Sequence, residues 1–193
     1  GTDSISQMDT DSGTVSYRTT NATIAEFGAT DYHNLTIEGI TANLTSDITV
    51  AGDLTLSGGA TLNLNGYTLT VLGNVSGTGT VAAGSGTLDV GGSITVSTLT
   101  ATTGTIRVGA DFDTAFTAGT STVQLVNAAR ATTIYGSHTF YNLEVTTPGK
   151  TVLFGSGSTQ NVDTFTVVGT SGNEVNLLSA TGGTTWFISA LNK

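Results

Sequence analysis

Four kinds of residue in this sequence could do chemistry. Asp111-Phe112-Asp113 sets two carboxylates around one apolar residue. With Phe112 turned inward, both acids point out on one face, as a metal site or an acid–base pair requires. Two carboxylates are too few ligands for a firm calcium site, and a solvated face accounts for the pair more simply. His33 and His138 are the only histidines and there is no cysteine, so little is available for zinc. The two histidines read as surface or packing residues. Asn21, Asn34, Asn43 and Asn74 each begin an N-x-S/T sequon, the acceptor for an N-linked glycan. Twelve Asn in a chain with 58 Ser and Thr would give such a number by chance, and Asn34 also heads a strand. Lys150 and Lys193 are weak candidates for isopeptide cross-links. No nucleophile elbow, triad or phosphate loop is visible. The chain is expected to have no catalytic residue, no cofactor and no metal, and not to be an enzyme. A carbohydrate-active enzyme would need several carboxylates converging on one groove.

The elements that would position these groups are short strands. Apolar residues alternate with polar ones nearly everywhere, and Gly, Asn, Asp and Ser fall between the runs. Thr supplies 41 of the 193 residues and Gly 26, with a single Pro. Thr is β-branched and suits a pleated, half-buried surface. Candidate strands are 34–37, 47–50, 53–56, 61–64, 93–96, 142–145, 164–167 and 174–177. Five basic against fourteen acidic side chains, a net charge of −9, argue against nucleic acid and anionic membrane surfaces. No apolar run approaches the roughly 18 residues of a bilayer span, so membrane insertion is not expected.

Two repeats lie over the alternation. Thr-apolar-x-apolar recurs at 68–71, 87–90, 105–108 and 122–125, so Leu69, Leu88, Ile106 and Val123 follow one another at a nearly constant interval. Gly followed by a short polar and an apolar residue recurs at Gly52, Gly73 and Gly92, and more loosely at Gly109. A beat of about 17–21 residues predicts the turn of a parallel β-helix, or β-solenoid, with equivalent residues stacked in ladders. The register predicts two core columns, Leu69–Leu88–Ile106–Val123 and Val71–Val90–Val108–Leu125. It also predicts an outer column in which Asp89 adjoins Arg107. An antiparallel β-sandwich is the alternative; it accommodates the alternation but does not explain the beat. A longer repeat aligns 14–37 with 122–145 at an offset of 108. This favours one solenoid domain over 14–193, preceded by an extension over 1–13.

The aligned stretches TVSYRTTNATIAEFGATDYHNLTI and TVQLVNAARATTIYGSHTFYNLEV, with the segment that follows them, resemble modules of large exported bacterial β-helix proteins. These are of the filamentous-haemagglutinin and autotransporter-passenger kind. The resemblance implies a parallel β-helix, secretion to the cell surface, and a role in adhesion or scaffolding without catalytic residues.

The ends suggest what such a rod does. The last turn carries Trp186, Phe187, Ile188 and Leu191 and nothing cap-like, and the acidic start includes Ile5 and Met8. Open solenoid ends expose strand edges that pair with other chains. The expectation is a secreted structural subunit that polymerises head to tail with itself, forming a filament or surface layer. The start at Gly1 fits a processed export product. The alternative is an adhesin or glycan-binding module whose outer Thr/Asn ladders contact glycans or a host surface.

Overall fold

The structure, a computed structural model, describes residues 11–192. Twenty strands wind into a parallel β-solenoid of about eight turns, and the described residues include no helix. β1 (Thr14–Tyr17) and β2 (Ala22–Thr23) open the coil. The next two turns are β3 (Asn34–Glu38), β4 (Thr41–Asn43) and β5 (Ile48–Val50), then β6 (Leu54–Ser57), β7 (Thr61–Asn63) and β8 (Thr68–Val71). β9 (Val75–Gly84) and β11 (Ile94–Ala101) each bend round a corner, and β10 (Thr87–Val90) and β12 (Thr105–Val108) follow them. Then come β13 (Ala115–Thr117), β14 (Thr122–Leu125), β15 (Thr132–Ile134), β16 (His138–Val145), β17 (Thr151–Phe154) and β18 (Thr159–Val167). β19 (Asn176–Ser179) and β20 (Phe187–Asn192) complete the last turn.

Every named pairing between strands is parallel, and the pairings define three faces. The first stacks β1, β3, β6 and the starts of β9 and β11, then runs through Phe112 to β15, β17 and β19. The second stacks β2, β4, β7, the ends of β9 and β11, and β13. It resumes with the starts of β16 and β18, and β20. The third stacks β5, β8, β10, β12, β14 and the ends of β16 and β18.

The predicted columns form as drawn. Leu69, Leu88, Ile106 and Val123 stack in register and are buried, as are Val71, Val90, Val108 and Leu125. Each side chain adds roughly 1.5–3 kcal/mol on burial. Asp89 lies opposite Arg107, with its Oδ2 3.2 Å from the guanidinium Nε. Both are partly exposed, so the pair contributes at most about 1 kcal/mol.

The Gly-polar-apolar motif has a definite task. Its short polar residues line one corner, where each side-chain oxygen accepts an N–H from the next turn. Asn34 Oδ1 takes the Asp53 N–H (2.9 Å), Asp53 Oδ1 the Asn74 N–H (2.7 Å), and Asn74 Oδ1 the Ser93 N–H (3.0 Å). Ser93 Oγ takes the Asp111 N–H (3.2 Å) and Asp111 Oδ1 the Thr133 N–H (3.0 Å). The glycines beside this column bring successive turns too close for a side chain: a Cβ on Gly92 would sit 2.6 Å from Gly73 O. Gly92→Ala is expected to lose about 1–3 kcal/mol in urea denaturation through overpacking. Gly182→Ala, at a position with open space around it, should lose almost nothing. Equal losses would contradict the close-approach argument.

Two features depart from the regular beat. Early turns keep it, but the chain between paired residues lengthens in later turns, from Phe112↔Ile134 to Phe154↔Ser179 and then Gln160↔Ile188. Corner loops over 126–131, 168–175 and 180–186 absorb the extra chain. The strand expected at 174–177 accordingly lies at Asn176–Ser179, after a tight turn in which Thr170 bridges Asn173. The two copies of the long repeat each comprise a strand and the strand stacked on it one turn later, Thr14↔Asn34 and Thr122↔Asn142. The first copy lies on the first face and the second on the third.

Candidate functional site

The residues suggested for assembly divide by side. Trp186 and Ile188 turn inward and pack against the core; the Trp186 ring stacks on Phe154 with centroids 4.1 Å apart. Phe187 and Leu191 alternate outward and are 55 % and 79 % exposed. Ile5 and Met8 lie outside the described residues, as do Lys193 and most of the 1–13 extension.

The sequons do not stand alike. Asn34 and Asn74 belong to the corner column, and their amide nitrogens also donate, to Gly13 O (3.2 Å) and Asp53 Oδ1 (3.1 Å). Asn43 Oδ1 accepts from Asn63 Nδ2 at 2.9 Å. Asn21 is exposed in a turn at φ 56°. Three of the four amides are therefore engaged in rung-to-rung bonding.

Asp111 and Asp113 do flank a buried Phe112, but Asp111 is spent on the corner column. Among the described residues no group of three or more His, Cys, Asp or Glu could hold a metal. Lys150 is buried, and its Nζ donates to Gly109 O (3.3 Å), Asn127 O (3.0 Å) and Arg130 O (2.8 Å). Three backbone carbonyls thus surround the amine that the sequence offered for a cross-link. Burial brings its pKa down to about 8; Asp111 opposes this and Arg130 adds to it.

In the first turn, Tyr32 is buried and donates to Ala25 O, and its hydroxyl lies 2.8 Å from that of Tyr17. Burial, first, raises the Tyr32 hydroxyl pKa well above the usual phenol value. The buried Asp31 carboxylate accepts N–H groups from Phe27, Gly28 and Thr49. This network reinforces the parallel Tyr32↔Val50 bridge that joins this side of the turn to β5.

The concave site lies where the second face is interrupted. β13 pairs with β11 alone, and the start of β16 pairs with β18 alone. Phe112, Phe116, His138 and Phe140 fill the gap, with ring centroids 5.2–5.8 Å apart. His138 Nε2 lies 2.6 Å from Tyr135 O, and burial lowers its pKa. Outside these rings are two depressions of about 590 and 420 Å³ that share Phe116, Thr139 and Asn161. They adjoin along the strands, and the larger is a trough along the rod that crosses β13, β16, β18 and β20. Its rim is built from outward residues in register: Thr139 opposite Asn161 and Asn161 opposite Ser189. Tyr141, Asp163 and Leu191 stand two positions further along the same strands. The sequence did not point to this trough, because its register depends on the irregular offsets of the later turns.

Stacked three-sided turns of parallel strands make this chain a β-helix repeat protein. Comparisons with family models, with curated proteins and with solved structures give no match.

Proposed function

We propose that the chain is a secreted structural protein, a subunit that assembles end to end into an extracellular filament or surface layer and performs no catalysis. The observation that carries this reading is the state of the two outermost turns. Among the described residues, β1 pairs only with β3, β19 only with β17, and β20 only with β18. Their inward apolar residues, Val15 and Tyr17 at one end and Leu177, Trp186 and Ile188 at the other, are half-buried. A parallel ladder extends to a further parallel strand without changing direction, so the last turn of one copy suits the first turn of the next. The Thr-rich composition and the resemblance to exported β-helix modules support the surface location.

Electron microscopy and light scattering of the full chain test this. Wild type should form fibres, more readily as salt screens the charge of −9 on each copy. Leu178→Lys places a charge on the outward face of the open edge strand β19, and deletion of residues 1–12 removes the N-terminal extension; both should remain monomeric with unchanged β-sheet circular dichroism. These variants serve better than Trp186→Asp, which would also break the stack on Phe154. A wild type that stays monomeric, or fibres from both variants, would overturn the reading.

A further inference from the structure

We propose that the trough on the second face binds a neutral oligosaccharide lying along the rod axis. The polar column at the trough is unlike the one at the corner. In the corner column each residue commits a side-chain oxygen to the next turn. Thr139, Asn161 and Ser189 are exposed, stacked in register, and make no side-chain hydrogen bond among the described residues. They stand as free donors and acceptors on three successive turns. Rungs in such a ladder repeat every ~4.7–4.9 Å, comparable to the rise of one sugar in an extended glycan.

Beside this column lie apolar surfaces: the half-buried Phe116, the 40 % exposed Tyr141 and the outward Leu191. The ligand must therefore offer an apolar face together with hydroxyl-rich edges. A sugar ring does so, its C–H face resting on the negative face of an aromatic ring. Other ligand classes fit worse. A lipid would cover Asn161 and Asp163 without satisfying them. A phosphate- or sulfate-bearing ligand would meet no Lys or Arg in the lining and would face the Asp163 carboxylate. A peptide strand would have to enter between the open edges of β13 and the start of β16, where Phe112, Phe116, His138 and Phe140 already fill the gap.

The test is isothermal calorimetry with cellohexaose, maltohexaose and chitohexaose in its N-acetylated form, with an alginate hexasaccharide as the anionic control. At least one neutral hexasaccharide should bind saturably and the alginate should not. Tyr141→Ala and Asn161→Ala should each weaken binding by about tenfold, the loss of one stacking or hydrogen-bonding contact in a desolvated site. Both residues are exposed, so melting temperatures should not move. Tyr67→Ala, on another corner of the coil, should bind as wild type. The proposal fails if no neutral hexasaccharide binds at millimolar concentration, if both trough variants bind unchanged, or if the alginate binds more tightly. It does not rest on end-to-end assembly. The same titration on Leu178→Lys, altered at the open edge and not in the trough, separates the two readings.

Discussion

Phe112→Ala is expected to destabilise the protein by about 3–5 kcal/mol, the cost of emptying a large aromatic site in a packed interior. The ring is fully buried and touches Phe116, His138 and Phe140. Its backbone also joins the two halves of the first face, bridging Ile94 on one side and Ile134 on the other. On the second face no strand pairing spans this level, so aromatic packing holds there what hydrogen bonds hold elsewhere. A solenoid is nearly one-dimensional, and each turn is stabilised by its immediate neighbours. Weakening one junction should therefore uncouple the coil on its two sides. Urea denaturation of wild type should be a single transition. In Phe112→Ala a first transition should separate, and hydrogen exchange should place it in β13, β15 and β16. A loss below about 1 kcal/mol, well short of an emptied aromatic site, or a shifted but still single transition, would show that the ladders on the other faces carry the junction without the cluster.

The same junction shows why the fold was more legible than the site. Leu69, Leu88, Ile106 and Val123 sit on one face, in turns of nearly equal length whose corners need only glycines and one short polar residue. Where turn length is nearly constant, spacing in sequence is position in space, and the Asp89–Arg107 contact follows from counting. Beyond Leu125 the corners take up loops of different length, and counting fails. Thr139, Asn161 and Ser189 are neighbours in space but unevenly spaced along the chain, so they carry no periodic signal. Repetition also misleads about the face. The match of 14–37 to 122–145 reflects local strand and corner requirements, which are the same on the first face and the third. The Gly-polar-apolar motif was readable as a repeat, yet its hydrogen-bond column was not. A short polar residue beside a tight corner is also what solvent exposure alone would select.

Lys150→Met is expected to cost about 1–3 kcal/mol at pH 7, because the buried Gly109 carbonyl and the part-buried Arg130 carbonyl lose their donor while the methionine still fills most of the volume of the stem. The amine gathers Gly109 O, Asn127 O and Arg130 O, which belong to two different corners, and Asn127 itself sits at φ 66°. The side chain thus pins the first long loop of the irregular half to the regular half, work done elsewhere by strand pairing. The dependence on pH separates this from simple packing. Burial holds the folded amine near pKa 8, against 10.5 for a free lysine. Between those values the unfolded chain binds a proton that the folded chain does not, so wild-type stability should rise with pH through that window. The variant lacks the group and the rise. Tyr32 acts oppositely: its raised hydroxyl keeps its proton in the fold, so stability falls as the unfolded phenol ionises above pH 10. That fall is common to both proteins and cancels in their difference. The gap between wild type and Lys150→Met, measured by urea denaturation, should therefore widen from pH 8 to pH 10.5. A gap that is constant or closes would mean that the folded amine keeps its proton, held by three carbonyls strongly enough to offset its burial. A variant as stable as wild type would mean that water satisfies those carbonyls and the lysine is not the tie between the two halves of the coil.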